Sequence, residues 1–313
     1  MYIRKISSFL ISLSLLCSCN GGGYAEFKGY AQGGVYSVRA DLTGVDVPRK
    51  QIAADIDSLL NAIDFSLSGY NKKSLLSRRN AGQEIEPDRF FTEVCELSSR
   101  YKELSDGAFD VAAAPLFDIW GFGFTPDSLP DAGRIAQAMA ECKAQKKLNF
   151  NAIAQGYTCD VIAAYLHSIG VSAMLVDIGE IFCEGLNPNG KGWTIGIDTP
   201  TDGNQTPGAS LSGVWTSDGG AHGVVTSGNY RKFYIKDGKK YAHTIDPRTG
   251  YPVSHDLLSA TVVAPTAAEA DALATICMVI GPGEAQCLIE SLPDVEACLI
   301  FSESTWTSDG FKN

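Results

Sequence analysis

The run "TAAEADALATICMVI", residues 266–280, constrains the fold more than any other stretch of the chain. Read as a helix, it opens with Thr266 as a cap and Glu269 three positions on, the pattern of a capping box. Ala, Leu, Ile, Cys, Met and Val fill most of the remainder, so the helix must turn its apolar side chains to a core. Asp271 and Thr275 nevertheless stand one turn apart within it and point the same way. With 45% of 313 residues apolar, the chain can build a core for such a helix in one large domain or two small ones.

The packing partners are legible. "PRKQIAADIDSLLNAID" sets Ile52, Ile56, Leu59, Leu60 and Ile63 on one helical face, and a second helix is expected across "DRFFTEVCELSSRYKEL". "TCDVIAAYLHSIG" reads as a helix closed by Gly170. The alternating stretch ending "GVYSVRADL" suits a strand, as do "SAMLVDIG", "GWTIGIDTP" and "LLSATVVAP". "GVVTSGNYRKFYIKDGKKYAHTID" reads as a hairpin turning at Asp237 and Gly238, and "TPTDGNQTPGAS" as a surface loop. No repeat or low-complexity run divides the chain. Helices and strands interleave without βαβ spacing, which predicts an α+β fold of mixed, largely antiparallel sheets with packed helices.

The first twenty residues, "MYIRKISSFLISLSLLCSCN", have the basic start and short apolar run of an export signal. Their end resembles the bacterial lipoprotein signal, which implies cleavage before Cys19 and lipidation of that cysteine. The expected layout is a signal peptide at 1–18, a linker at 19–28 containing "NGGGYAEF", and a domain at 29–313. The expected location is a bacterial membrane surface facing the periplasm. The net charge of −11 becomes more negative once Arg4 and Lys5 are removed, which argues against a nucleic-acid surface. An anionic ligand would need a local device, a metal ion or a helix N-terminus. Seven further cysteines lie among mostly apolar neighbours without CxxC spacing, and read as small core residues rather than zinc ligands.

Five segments carry more Gly, Asp, Asn, Thr and His than a core needs: "SGYNKKSLLSRRN", "SDGAFDVAAAPLFDIWGFG", "NFNAIAQGYTCD", "VTSGNYRKFY" and "HTIDPRTGYPV". Each alone is explained by turns and caps, Asp110 as a helix cap among them. Asp271 and Thr275 add one anionic and one neutral oxygen, a pairing that hard divalent cations favour.

Taken in order, "SGYNKKSLLSRRN", "DGAFDVAAAPLFDIWGFG", "NAIAQGYTCD", "TSGNYR", "HTIDPRTGYP" and "EADALAT" closely resemble the motifs of the FAD:protein FMN transferases, the ApbE-like flavin transferases. The resemblance implies the fold of that family, FAD as substrate, magnesium as cofactor, and transfer of FMN to a Thr or Ser hydroxyl of an acceptor protein with release of AMP. By position it implies Asp271, Thr275 and the Ala152 carbonyl as metal ligands. It implies flavin-nucleotide contacts at Gln32, Tyr70, Ala108, Phe109, Asp110, Asn149, Gln155 and Ile245. His243 is expected as the base, since imidazole titrates near neutrality, with Asp246 orienting it or meeting a second metal. The acceptor is expected to be an exported flavoprotein, such as a subunit of a membrane electron-transport complex. Gln32, Asn149, Gln155 and Glu180 depart from the residues common in the family: methionine, aspartate, lysine or glutamate, and glycine. Two other readings stand beside transfer, a magnesium-dependent FAD pyrophosphatase and a non-catalytic FAD-binding lipoprotein.

Overall fold

A computed structural model describes residues 23–123, 129–204, 206 and 208–311. The expected signal peptide, Cys19 and the start of the expected linker lie outside the described residues. The chain begins with a hairpin of β1 (Tyr24–Ala31) and β2 (Gly34–Asp41). It continues through α1 (Arg49–Leu67), α2 (Leu75–Asn80), α3 (Arg89–Leu104), a 3-10 turn at Val111–Ala113 that leads into α4 (Ala114–Ile119), α5 (Ala132–Lys143) and α6 (Ala154–Ser168). Strands follow: β3 (Met174–Asp177), β4 (Ile181–Glu184), β5 (Thr194–Asp198), β6 (Leu211–Thr216), β7 (His222–Gly228), β8 (Phe233–Lys236), β9 (Lys239–Ala242), β10 (Ile245–Asp246), β11 (Tyr251–Pro252) and β12 (Leu257–Ala264). The last elements are α7 (Ala267–Ile280), α8 (Pro282–Ser291), β13 (Glu296–Phe301) and β14 (Thr305–Thr307).

Eight strands form one sheet in the order β1-β2-β3-β4-β7-β12-β13-β14, with every neighbouring pair antiparallel. Side chains alternate across it as a pleated strand requires. On β12 and β13, Ala260, Val262, Ala297 and Leu299 pack with α7 and α3. Val263, Cys298 and Ile300 point the other way, onto Trp193, Ile195 and Trp215 around the β5–β6 pair. Alternation persists on β3, where Met174 and Val176 meet α1 and α6 while Leu175 faces Trp193. The α+β, antiparallel architecture is as expected.

Helix α7 lies at the centre, packed on β7 and β12 on one side and on α6, α3 and α8 on others. Eleven of its fourteen residues are buried, Asp271 among them. A helix buried on every side needs an apolar circumference, which explains why small and aliphatic residues fill it apart from Glu269, Asp271 and Thr275.

Three features differ from the sequence-based expectation. Residues 24–28, assigned to the linker, form the first part of β1, and the stretch read as one strand is a hairpin. Its turn is Gln32–Gly33, both left-handed at φ 50° and 84°, the geometry a two-residue hairpin turn demands. The segment "GVVTSG" is β7, a central strand, so the local hairpin is confined to β8 and β9. The seven described cysteines are free, five of them buried as small core residues, with Cys95 half-buried and Cys287 exposed.

Candidate active site

The site is organised by the contact between α6 and α7. A Cβ on Gly156 would stand 2.2 Å from the Ala267 carbonyl oxygen and 2.8 Å from the Asp271 Cβ, so only glycine permits this approach. The Gly156 N–H donates to Asp271 Oδ2 at 3.1 Å. It is thereby turned away from the carbonyl one turn back, and among the described residues no hydrogen bond ends on the Ala152 oxygen. Asp160, one turn further along α6, accepts from the Ala267 and Ala268 N–H groups at 2.8 and 2.9 Å. Thr266 accepts from Glu269 N at 3.2 Å. The first N–H groups of α7 are thus satisfied, and its rotation about α6 is fixed. Thr275 follows Asp271 by one turn and is half-exposed, at the edge of the buried stripe.

The electrostatics show a shortage of positive charge. Burial raises the Asp271 pKa to about 7, with the Gly156 N–H opposing and the Asp160 charge adding to the rise. Burial likewise raises Asp160 to about 7 against its two amide donors. Glu180, in the β3–β4 turn, is held well above the ordinary carboxylate range by burial first and by Asp271 second, with Arg231 opposing. Carboxylates crowded in this way prefer either a proton or a cation. No group of three His, Cys, Asp or Glu side chains gathers among the described residues. A cation here would therefore bind one carboxylate, a hydroxyl and a main-chain carbonyl, the all-oxygen chemistry of magnesium or calcium.

Two of the expected nucleotide contacts cluster at the start of α6. Gln155 Nε2 donates to the Ile178 carbonyl at 2.9 Å. Gln32 Nε2 reaches Thr158 Oγ1 at 2.7 Å, tying the first hairpin to α6. Asn149 and Asp110 are brought together by a 2.7 Å bond from Asn149 N to the Val111 carbonyl. Asp110 accepts from Ala112 N and pairs with Lys102 at 2.7 Å, so it does cap a turn. The motif "SGYNKKSLLSRRN" is a bracket for this corner. Ser74 and Ser77 donate to the Ser68 carbonyl, and Asn80 exchanges two 2.8 Å bonds with the Leu148 backbone, next to Asn149. Tyr70 is 66% exposed, whereas Ala108, Phe109 and Ile245 are at most 2% exposed. The side chains of those three belong to the core, leaving only their backbones to meet a ligand.

His243 follows the β8–β9 hairpin and precedes β10, which packs against α7. Its N–H and its Nδ1 both lie 3.1 Å from the Lys232 carbonyl oxygen. A carbonyl only accepts, so Nδ1 carries the proton and the Nε2 lone pair is left available. Burial, and then the Lys232 ammonium, lower the imidazole pKa to about 4, so it is neutral at pH 7 and, contrary to the sequence-based expectation, does not titrate near neutrality. Thr244 donates to Asn229 Oδ1 at 2.5 Å, linking this loop to "TSGNYR". Among the described residues, no hydrogen bond joins Asp246 to His243. The two Asp246 oxygens are held by Arg248 Nε and Nη2 at 3.0 Å each, and Arg248 lies against Gly107.

Sequence reasoning gave no part to Gly156, Thr158, Asp160, Asn229 or Thr244. Asp160 and Gly156 stand inside the quoted motif "NAIAQGYTCD", and their spacing of four on one helix was the available signal.

The ApbE family model matches residues 33–299. An FAD:protein FMN transferase of Klebsiella pneumoniae is 33% identical over 306 residues, covering 88% of this chain and 85% of that one. One from Escherichia coli K12 is 32% identical over 305 residues with the same coverage. Among solved structures, the flavinyl transferase ApbE of Pseudomonas stutzeri superposes with a TM-score of 0.80 at 31% identity, covering 92% of this chain and 95% of that one. The flavin transferase ApbE of Vibrio cholerae gives 0.79 at 28% identity, covering 93% and 98%. With the family model matched over residues 33–299 and relatives of 31–33% identity covering most of its length, the chain belongs to the ApbE family.

Proposed function

We propose that this protein is an FAD:protein FMN transferase that uses magnesium, and that it esterifies a Thr or Ser hydroxyl of an acceptor protein with FMN. The observation that carries the reading is the donor set at the α6–α7 contact. Asp271 is a buried carboxylate that accepts from the Gly156 N–H, Thr275 follows one turn on, and among the described residues the Ala152 carbonyl accepts no hydrogen bond. Magnesium bound by Asp271, Thr275 and the Ala152 carbonyl would neutralise the FAD diphosphate, which an acidic protein otherwise repels.

The chain's own residues account for the remaining requirements. Gln32, Asn149, Gln155 and the backbones of Ala108, Phe109 and Ile245 hold the flavin nucleotide, with Tyr70 and Asp110 at its margin. His243 takes the proton of the acceptor hydroxyl on Nε2, while its Nδ1–H stays on the Lys232 carbonyl. The hydroxyl oxygen forms a bond to the FMN-side phosphorus as the bond to the bridging oxygen breaks, and that oxygen leaves with AMP. Asp246 acts through Arg248, holding the loop against the Gly107 turn.

A lipid on Cys19 would keep the enzyme at a bacterial membrane surface facing the periplasm, where the acceptor is an exported flavoprotein such as a membrane electron-transport subunit. Incubation with FAD, magnesium and a candidate acceptor domain, followed by intact mass, tests the reading. A gain of one FMN on the acceptor supports it; free FMN and AMP with unchanged acceptor mark a pyrophosphatase, and unchanged FAD marks a binding protein. His243→Ala should retain FAD binding and lose transfer by at least about a hundredfold, the usual contribution of a general base.

A further inference from the structure

Residues 231–240, "RKFYIKDGKK", concentrate five cations and one anion in a chain whose net charge is −11. Arg231 pairs with Asp198 and Lys240 with Asp202, while Lys239 lies over the Tyr241 ring at 5.4 Å. Lys232, Lys236 and Lys239 are exposed and form no ion pair among the described residues. We propose that this face of the β8–β9 hairpin docks an acidic segment of the acceptor protein and delivers its hydroxyl to His243. The inference rests on the transferase reading above and supplies its missing specificity surface.

The register places these charges in one column. Lys236 pairs with Lys239 and Tyr234 with Tyr241, and the bond from His243 N to the Lys232 carbonyl continues the ladder. With side chains alternating by two, Lys232, Tyr234 and Lys236 share a face with His243, Tyr241 and Lys239. Like charges directly opposite each other disfavour a hairpin, so the Lys236–Lys239 pair is a local cost that an anionic partner would relieve.

The platform is stiff. Tyr234 and Tyr241 stack at 5.3 Å, and Phe122 and Trp120 stack on them at 5.3 and 5.8 Å. Asp237 and Gly238 turn the chain at φ 51° and 73°, the left-handed pair that suits a tight hairpin. Phe122 also meets the His243 ring edge-on at 6.3 Å, so the aromatic stack joins the charged tip to the imidazole. From His243 to Lys239 is four strand residues, about 13 Å. Acidic side chains roughly four positions from the target hydroxyl therefore reach the lysines in an extended segment. Proximity to His243 favours a protein segment over an anionic lipid surface, which has no hydroxyl to place there.

Fluorescence anisotropy with labelled twelve-residue peptides tests the proposal on the mature protein. One peptide carries a single Thr with Asp and Glu about four positions away, and its control carries Gln and Asn there. The acidic peptide should bind more tightly, weaken with salt, and lose about tenfold or more in affinity against Lys236→Glu with Lys239→Glu. A Lys-substituted peptide should recover affinity for that variant, and the milder Lys236→Gln with Lys239→Gln should give a smaller loss. FAD binding should be equal in wild type and variants, a check that folding is intact. Equal binding of the acidic and neutral peptides, or unchanged affinity in both variants, overturns the proposal. So does loss of binding to phosphatidylglycerol vesicles with no effect on the peptide. Peptide binding is read separately from FMN transfer by mass. Binding without transfer to any acceptor counts against the transferase reading and leaves the docking surface supported.

Discussion

Substitution of Gly156 by alanine isolates the contact on which the site is built. The added Cβ would lie 2.2 Å from the Ala267 carbonyl oxygen and 2.6 Å from its carbon, both backbone atoms at the start of α7. Ordinary contact lies roughly 1 Å further out, so α6 and α7 must separate by about that amount. Overpacking of this kind costs about 1–3 kcal/mol. The 3.1 Å bond to Asp271 would open at the same time, and a hydrogen bond to a charged group contributes about 1.5–3 kcal/mol. The better helix propensity of alanine returns no more than about 1 kcal/mol. The net loss is about 2–5 kcal/mol, and at about 2 °C per kcal/mol for a chain of this size the melting temperature falls by roughly 4–10 °C. Because Asp271 moves with α7, magnesium affinity by calorimetry should fall as well. A Gly156→Ala protein that melts at or above the wild-type temperature and binds magnesium equally would refute the reasoning, since the two helices could not then be in the contact described.

Other expectations follow from the same geometry. Asp271→Asn, in the absence of metal, should be more stable than wild type at pH 8 and equal to it at pH 4. The folded pKa is raised from 3.8 to about 7, so the stability the carboxyl contributes is full below 3.8 and lost as pH rises through 7, whereas asparagine does not ionise. Melting curves at the two pH values decide this, and a less stable variant at pH 8 would contradict it. His243, with its pKa lowered to about 4, should remain neutral by NMR titration down to about pH 5. Its site should destabilise the fold only as pH falls from 6.5 toward 4, where the unfolded chain takes up a proton that the folded one refuses. Protonation with a midpoint near 6.5 would remove the desolvated, half-buried imidazole from the account. Asn80→Ala should forfeit both bonds to the Leu148 backbone, costing about 1–3 kcal/mol, and weaken FAD binding through Asn149 without altering magnesium binding. Calorimetry with each ligand separates the two effects.

Much of this could be read from residues alone, and the exceptions have a common cause. The buried helix was legible because a capping pattern precedes an apolar run, and Asp271 with Thr275 because helical spacing puts them on one side. The importance of Gly156 was not legible, because it depends on how closely another helix approaches. The Ala152 carbonyl is likewise a main-chain group, released by a neighbour's hydrogen bond rather than by its own side chain. Ala108, Phe109 and Ile245 carry the motif's positions, yet their side chains serve the core, a distinction that position in a motif cannot make. The first strand was hidden because "NGGGYAEF" begins with a glycine run whose turn chemistry masks the alternation beginning at Tyr24. Asp246 sits close to His243 in sequence, but the turn "DPRTG" bends its carboxylate back onto Arg248.

Crystals of the mature protein soaked with manganese and FAD, and measured at the manganese absorption edge, address the central claim most directly. A single strong anomalous peak within about 2.3 Å of an Asp271 carboxylate oxygen, the Thr275 hydroxyl and the Ala152 carbonyl, touching the FAD diphosphate, is the predicted result. Ordered FAD with its diphosphate elsewhere, or with manganese bound away from these three oxygens, would contradict it.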